Sequence, residues 1–187
     1  PDETRLALLH ETAGDPDTPL KTTVRVLDLT DGTTTVAAPG WDRWPTSIAW
    51  LPDGSGLVLT ADDHGRAPIE AYTDVRVAPD GTALYALRAS YRMPPHPVRI
   101  ALTGPDAGTV TPLRAPADLP ELPGRHTEIT TTAADGTPLR GWLVLPHDAT
   151  EGTPVPLLLW IHGGPLGSWN TWSWRWNPWL MVARGYA

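Results

Sequence analysis

The 187-residue chain contains no cysteine. That excludes a disulfide framework and suits a reducing cytoplasm, the location expected here, although exported proteins without disulfides share the trait. Positive charge is also scarce: Lys21 is the only lysine among 14 basic residues, set against 21 acidic ones for a formal net charge of -7. The basic residues are scattered and form no stripe along which a phosphate backbone could lie, so nucleic acid is excluded as a partner. Long apolar runs are missing too. The longest, 157–161, falls far short of the roughly 18 residues a membrane-spanning helix needs, and no membrane partner is expected. An initiator methionine and a leader pattern are absent, and the chain opens inside a motif that recurs later. At the other end, Arg184-Gly185-Tyr186-Ala187 stops where a helix would hand over to a strand. Both ends are expected to be cut from a longer protein.

What is present is enough apolar content, 41% of residues, to bury a core in one sizeable domain or two small ones. A short repeat organises the first half: Pro1-Asp2-Glu3 before Leu6, Pro52-Asp53-Gly54 before Leu57, and Pro79-Asp80-Gly81 before Leu84. Apolar segments at 48–51 and 75–78 precede the last two copies, giving strand, turn and strand, the signature of a β-hairpin. A second hairpin is expected from 23–29 and 33–37 around Asp31-Gly32, and another from 98–102 and 109–113. Two hairpins per unit make four strands, and such units repeating every 40 to 50 residues or so are the pattern of propeller blades. The step from Pro1 to Pro52 fits. The step from Pro52 to Pro79 is about half as long, which reads either as an irregular blade or as a deletion or join in the sequence, and 60–72 is expected to be irregular with an open strand edge.

Residues 115–124 carry three prolines and end in glycine, which suits neither helix nor central strand and reads as a linker. Beyond it, Asp135-Gly136 turns the chain ahead of a strand at 139–145, and the nearly all-apolar segment 155–161 predicts a strand covered on both faces. That strand runs into His162-Gly163-Gly164-Pro165, the most specific motif in the chain. Glycines in a loop after a buried strand let backbone N–H groups point at a substrate carbonyl, as an oxyanion hole requires, although the same residues could form a turn with no chemical task.

With the Pro-Asp-Gly hairpins, the proline-rich crossing, Ala134-Asp135-Gly136-Thr137 before Gly141-Trp142-Leu143-Val144-Leu145-Pro146, and Trp160-Ile161-His162-Gly163-Gly164-Pro165, the chain resembles the prolyl oligopeptidase family of serine peptidases, near its acylaminoacyl-peptidase and dipeptidyl-aminopeptidase-like members. The resemblance runs over essentially the whole chain. It implies β-propeller blades over 1–114 (about three pieces, one shortened), a linker at 115–125, and the N-terminal part of an α/β-hydrolase domain over 126–187. It also implies a parent enzyme that hydrolyses short peptides by acyl transfer through serine. The backbone N–H of Gly164 is then the expected oxyanion donor, Gly163 and Pro165 shape the loop, and His162 organises it. The chain departs from the family in one respect. Ser47, Ser55, Ser90, Ser168 and Ser173 are its only serines, none in a G-x-S-x-G elbow, so nucleophile, acid and base are not expected among these residues and the chain alone should be inactive. A carboxylesterase of the same hydrolase fold and a non-enzymatic propeller binding module are the alternatives.

The sequence holds two further clusters. Trp169, Trp172, Trp174, Trp176 and Trp179 could form an aromatic binding platform, but core packing ahead of a helix at 178–184 is favoured. Asp62-Asp63-His64 reads as a turn because adjacent side chains diverge, and no metal or other cofactor is expected.

Overall fold

In the computed structural model the recurring Asp-Gly pairs close their hairpins by one hydrogen-bond pattern. Gly54 N–H donates to the Leu51 carbonyl, Gly81 to Ala78 and Gly136 to Ala133, at 2.9, 2.8 and 3.0 Å. Each glycine is left-handed, with φ of 71°, 70° and 88°, the conformation that follows a type I turn in a three-residue hairpin loop and that only glycine adopts without strain. The aspartates lock these turns. Oδ1 of Asp53 accepts from the Ser55 N–H and hydroxyl, and Oδ1 of Asp80 does the same for Thr82. Asp28 binds Thr30 in this way too, and Asp135 accepts the Thr137 N–H. In each case the turn residue holds the aspartate below the usual carboxylate range.

The structure describes residues 3–15, 17, 20–61, 70–119, 121–161, 163 and 174–187. Among them the strands form antiparallel sheets joined by such turns. Strands β1 (Arg5–Glu11), β2 (Thr22–Asp28) and β3 (Thr34–Val36) make a three-stranded sheet in that order. Strands β4 (Pro45–Trp50) and β5 (Leu57–Ala61) pair as a two-stranded sheet. A four-stranded meander follows, of β6 (Glu70–Val77), β7 (Ala83–Ser90), β8 (Met93–Ala101) and β9 (Val110–Pro112). The hairpins expected around Asp31-Gly32, Asp53-Gly54 and Asp80-Gly81 are therefore present, as is the one joining 98–102 to 109–113. Of the stretch expected to be irregular, residues 62–69 lie outside the described residues, Asp62-Asp63-His64 among them. Just beyond, the β6–β7 register shifts between Thr73 and Arg76, where Asp74 has a φ of 53°, as at a bulge.

The chain divides into two units. The first comprises Pro1–Ser90 and Pro95–Pro116, the second Tyr91–Pro94 and Ala117–Ala187. Small side chains fill the first unit's meander: Ala83, Leu84, Ala86, Val98 and Ala101 are buried, Val98 completely. The second unit holds β10 (Gly124–Thr132) paired along its whole length with β11 (Pro138–Pro146), and the short helix α1 (Trp179–Val182). β10 begins at Gly124, inside the proline-rich stretch expected as a linker. Gly124 is buried, and a Cβ there would stand 2.0 Å from the Leu145 carbonyl oxygen. Close approach, rather than flexibility, requires the glycine.

Candidate active site

The apolar segment 155–161 before His162-Gly163-Gly164-Pro165 belongs to no strand and is not the doubly covered one its composition suggests. Leu157, Leu159 and Ile161 are 64%, 75% and 77% exposed. Among the described residues one neighbour bonds to its backbone. Ala187 N–H donates to the Pro156 carbonyl at 2.8 Å, and Leu158 N–H donates to the Ala187 carbonyl at 2.7 Å. Two bonds from one residue to the positions on either side of Leu157 form the pattern of a parallel bridge. The last residue of the chain thus lies beside the segment, on the far side of α1 in the sequence.

The second unit's packing holds that helix. Asn177 Oδ1 accepts the Trp179 N–H at 3.0 Å, and Pro178, whose missing N–H costs nothing there, opens the first turn. Trp179 and Val182 are buried against Val144 of β11, with Leu122 and Trp174 packed around them. Trp179 Nε1 donates to the Tyr91 carbonyl at 2.7 Å. Of the tryptophan run, Trp174 and Trp179 therefore serve the core, whereas Trp176 is 59% exposed with the Arg175 guanidinium 5.9 Å from its ring centre. Trp169 and Trp172 lie outside the described residues.

Around Trp179 stands an aromatic cluster that no local sequence pattern announced. Tyr91 packs on Trp142 with ring centres 4.5 Å apart and on His126 at 5.6 Å, and His126 meets Trp179 edge-on at 6.4 Å. Two-residue periodicity puts His126 and Glu128 of β10 on the same face of the ribbon as Trp142 and Val144 of β11, their register partners. Burial, reinforced by the nearby Arg92 charge, holds His126 below the usual imidazole range. Burial, with the Glu128 carboxylate adding to it, pushes the Tyr91 phenol up to about 12. On the opposite face Arg125 donates to the carbonyls of Pro146, His147 and Ala149, which ties the end of β11 to the turn beyond it.

Of the expected loop residues, Gly163 is described; His162, Gly164 and Pro165 lie outside the described residues. Gly163 sits in an exposed bend, its φ is not left-handed, and among the described residues a Cβ there would meet nothing within 4 Å.

Comparison with known proteins gives these features a context. The chain is 31% identical to "Probable dipeptidyl-peptidase 5" of Aspergillus clavatus, over 80% of this chain and 23% of that one. It is 29% identical to dipeptidyl-peptidase 5 of Aspergillus fumigatus and of Trichophyton equinum, with the same coverage. No family model matches. Among solved structures, the apo prolyl oligopeptidase B from Galerina marginata superposes with a TM-score of 0.55 at 15% identity, over 81% of this chain and 26% of that one. An AtxE2 isopeptidase variant with Astexin3-dC4 bound gives a TM-score of 0.55 at 18% identity, over 82% and 26%. The hairpin sheets and these relatives define a lineage of peptidases. Within it, the chain belongs to the prolyl oligopeptidase family. It spans about a quarter of the length of the curated relatives it matches.

Proposed function

We propose that a protein carrying this chain is a serine peptidase that hydrolyses short peptides by acyl transfer. The observation that carries this reading is the sequence relationship to dipeptidyl-peptidases, which covers 80% of the chain. In this reading residues 1–114 supply propeller blades, 115–125 cross between domains, and 126–187 open an α/β-hydrolase domain. The parallel bridge between Leu157 and Ala187 across α1 supports the last part, because strand, helix and parallel strand form the unit from which that sheet is built. The Gly164 backbone N–H donates to the oxyanion of the tetrahedral intermediate, while Gly163 and Pro165 shape its loop. Nucleophile, acid and base come from outside these 187 residues, and the substrate is a peptide.

The test is made in the complete enzyme. Replacing Gly164 with proline removes the donor N–H and should lower kcat by about 10²- to 10³-fold with little change in KM. The His162→Ala variant, in which the donor remains, should keep measurable turnover. Full activity in folded Gly164→Pro together with none in folded His162→Ala would reverse the assignment.

A further inference from the structure

A pocket between the first two sheets of the first unit is lined by residues that the internal repeat does not call for. Arg5 stands at the fifth position of the first repeat, where the later copies have Gly56 and Ala83. Trp50, two residues ahead of Pro52, answers to Val77 ahead of Pro79. A hairpin of this kind therefore closes without an arginine or a tryptophan at those places, as β6–β7 demonstrates. Here the two side chains meet. The Arg5 guanidinium carbon lies 4.9 Å from the Trp50 ring centre, and Nη2 donates to the Gly54 carbonyl at 3.0 Å. A guanidinium stacked on an indole and tethered at one nitrogen has lost much of its freedom already, so accepting a carboxylate costs it little more.

The pocket has a volume of about 550 Å³, within the range of small-ligand sites. Asp28, register partner of Arg5 across β1 and β2, also lines it, as do Thr35, Ser55 and Leu57. One cation, one anion, the hydroxyls of Thr33, Thr35 and Ser55, and apolar side chains such as Leu57 and Leu59 in one concavity match a small molecule with both charges and an apolar substituent.

We propose that this pocket binds a short zwitterionic peptide, with Arg5 taking its carboxylate, Asp28 its ammonium group, the hydroxyls of Thr35 and Ser55 its amide, and Leu57 an apolar side chain. The site is built from first-unit residues alone and does not depend on the peptidase reading. Titrating the complete protein by NMR or calorimetry with alanyl-leucine and with its carboxamide tests it by binding alone. The free acid should bind, the carboxamide about tenfold more weakly, and the Arg5→Gln variant should lose a similar factor for the acid. Because Arg5 also bonds to Gly54, a second variant, Thr35→Glu, leaves that bond intact and sets a repelling carboxylate in the pocket. It should abolish binding of the acid with an unchanged circular dichroism spectrum. Equal affinity for acid and amide, undiminished binding in Thr35→Glu, or no binding by the folded protein up to about 10 mM, weaker than any useful subsite, would each overturn the proposal.

Discussion

Glu3 stands where the later repeats place Gly54 and Gly81, and it adopts their left-handed backbone with a φ of 59°. A side chain in that region crowds its own carbonyl, at a cost of roughly 1–2 kcal/mol. Glu3→Gly should therefore stabilise the first unit by about 1 kcal/mol, the added freedom of the unfolded chain offsetting part of the gain. Urea unfolding reports this as a higher midpoint at unchanged slope. Gly124 is the opposite case, since a Cβ there would also stand 2.8 Å from the Val182 side chain. Backbone cannot yield as a flexible side-chain end can, so Gly124→Ala should cost roughly 3 kcal/mol, visible as a lower midpoint in the same experiment. The turn aspartates set the acid limit. Asp53 and Asp80 have folded-state pKa values below their unfolded ones, so their contribution is complete above about pH 4 and is lost as pH falls through the depressed values. Asp53→Asn combined with Asp80→Asn should flatten stability between pH 4 and pH 2, measured by thermal unfolding; an unchanged acid slope would contradict it.

At the scale of elements, the second unit depends on the seat of α1 against β11 and on the ring cluster beside it. Because the folded state keeps His126 below the usual imidazole range, the unfolded chain binds its proton more readily. Stability is then complete above the unfolded pKa near 6.5 and declines as pH falls through that value. The His126→Phe variant keeps a ring in the cluster and cannot titrate. Unfolding followed by indole fluorescence at pH 7.5 and 5.5 should show wild type losing more stability than the variant, whereas equal losses would acquit His126. The hairpins were legible in the sequence because each Asp-Gly pair encodes its turn within a few residues and the flanking apolar residues fix the strands. The cluster of Tyr91, His126, Trp142 and Trp179 was not, since its members come from separate parts of the chain and meet only through the β10–β11 register and α1. The segment 155–161 misled in another way. Its apolarity reports what the sequence is suited to lie against, while pairing depends on neighbours, and among the described residues Ala187 alone bonds to its backbone. The sequence carries one further turn signal: Asp followed two residues later by Ser or Thr, with the later N–H donating to the carboxylate, at Asp28, Asp31, Asp53, Asp80 and Asp135.

At the scale of the whole molecule, the chain matches about a quarter of its relatives' length, and the reaction proposed above is that of a protein carrying it. Its described strands form antiparallel sheets whose hairpins close on Asp-Gly turns. Of the proposed site only the loop motif was legible, since a donor that acts through its backbone, as proposed for Gly164, leaves no side-chain signature in the sequence. In the proposed function, these residues belong to a peptidase whose nucleophile is a serine supplied elsewhere in the protein. Labelling the complete protein with a fluorophosphonate and mapping the adduct by mass spectrometry tests it most directly. The expected result is one stoichiometric adduct on a serine outside these 187 residues, formed in step with loss of hydrolysis of short peptide substrates. An adduct on Ser47, Ser55, Ser90, Ser168 or Ser173, or peptide hydrolysis that survives complete labelling, would contradict it.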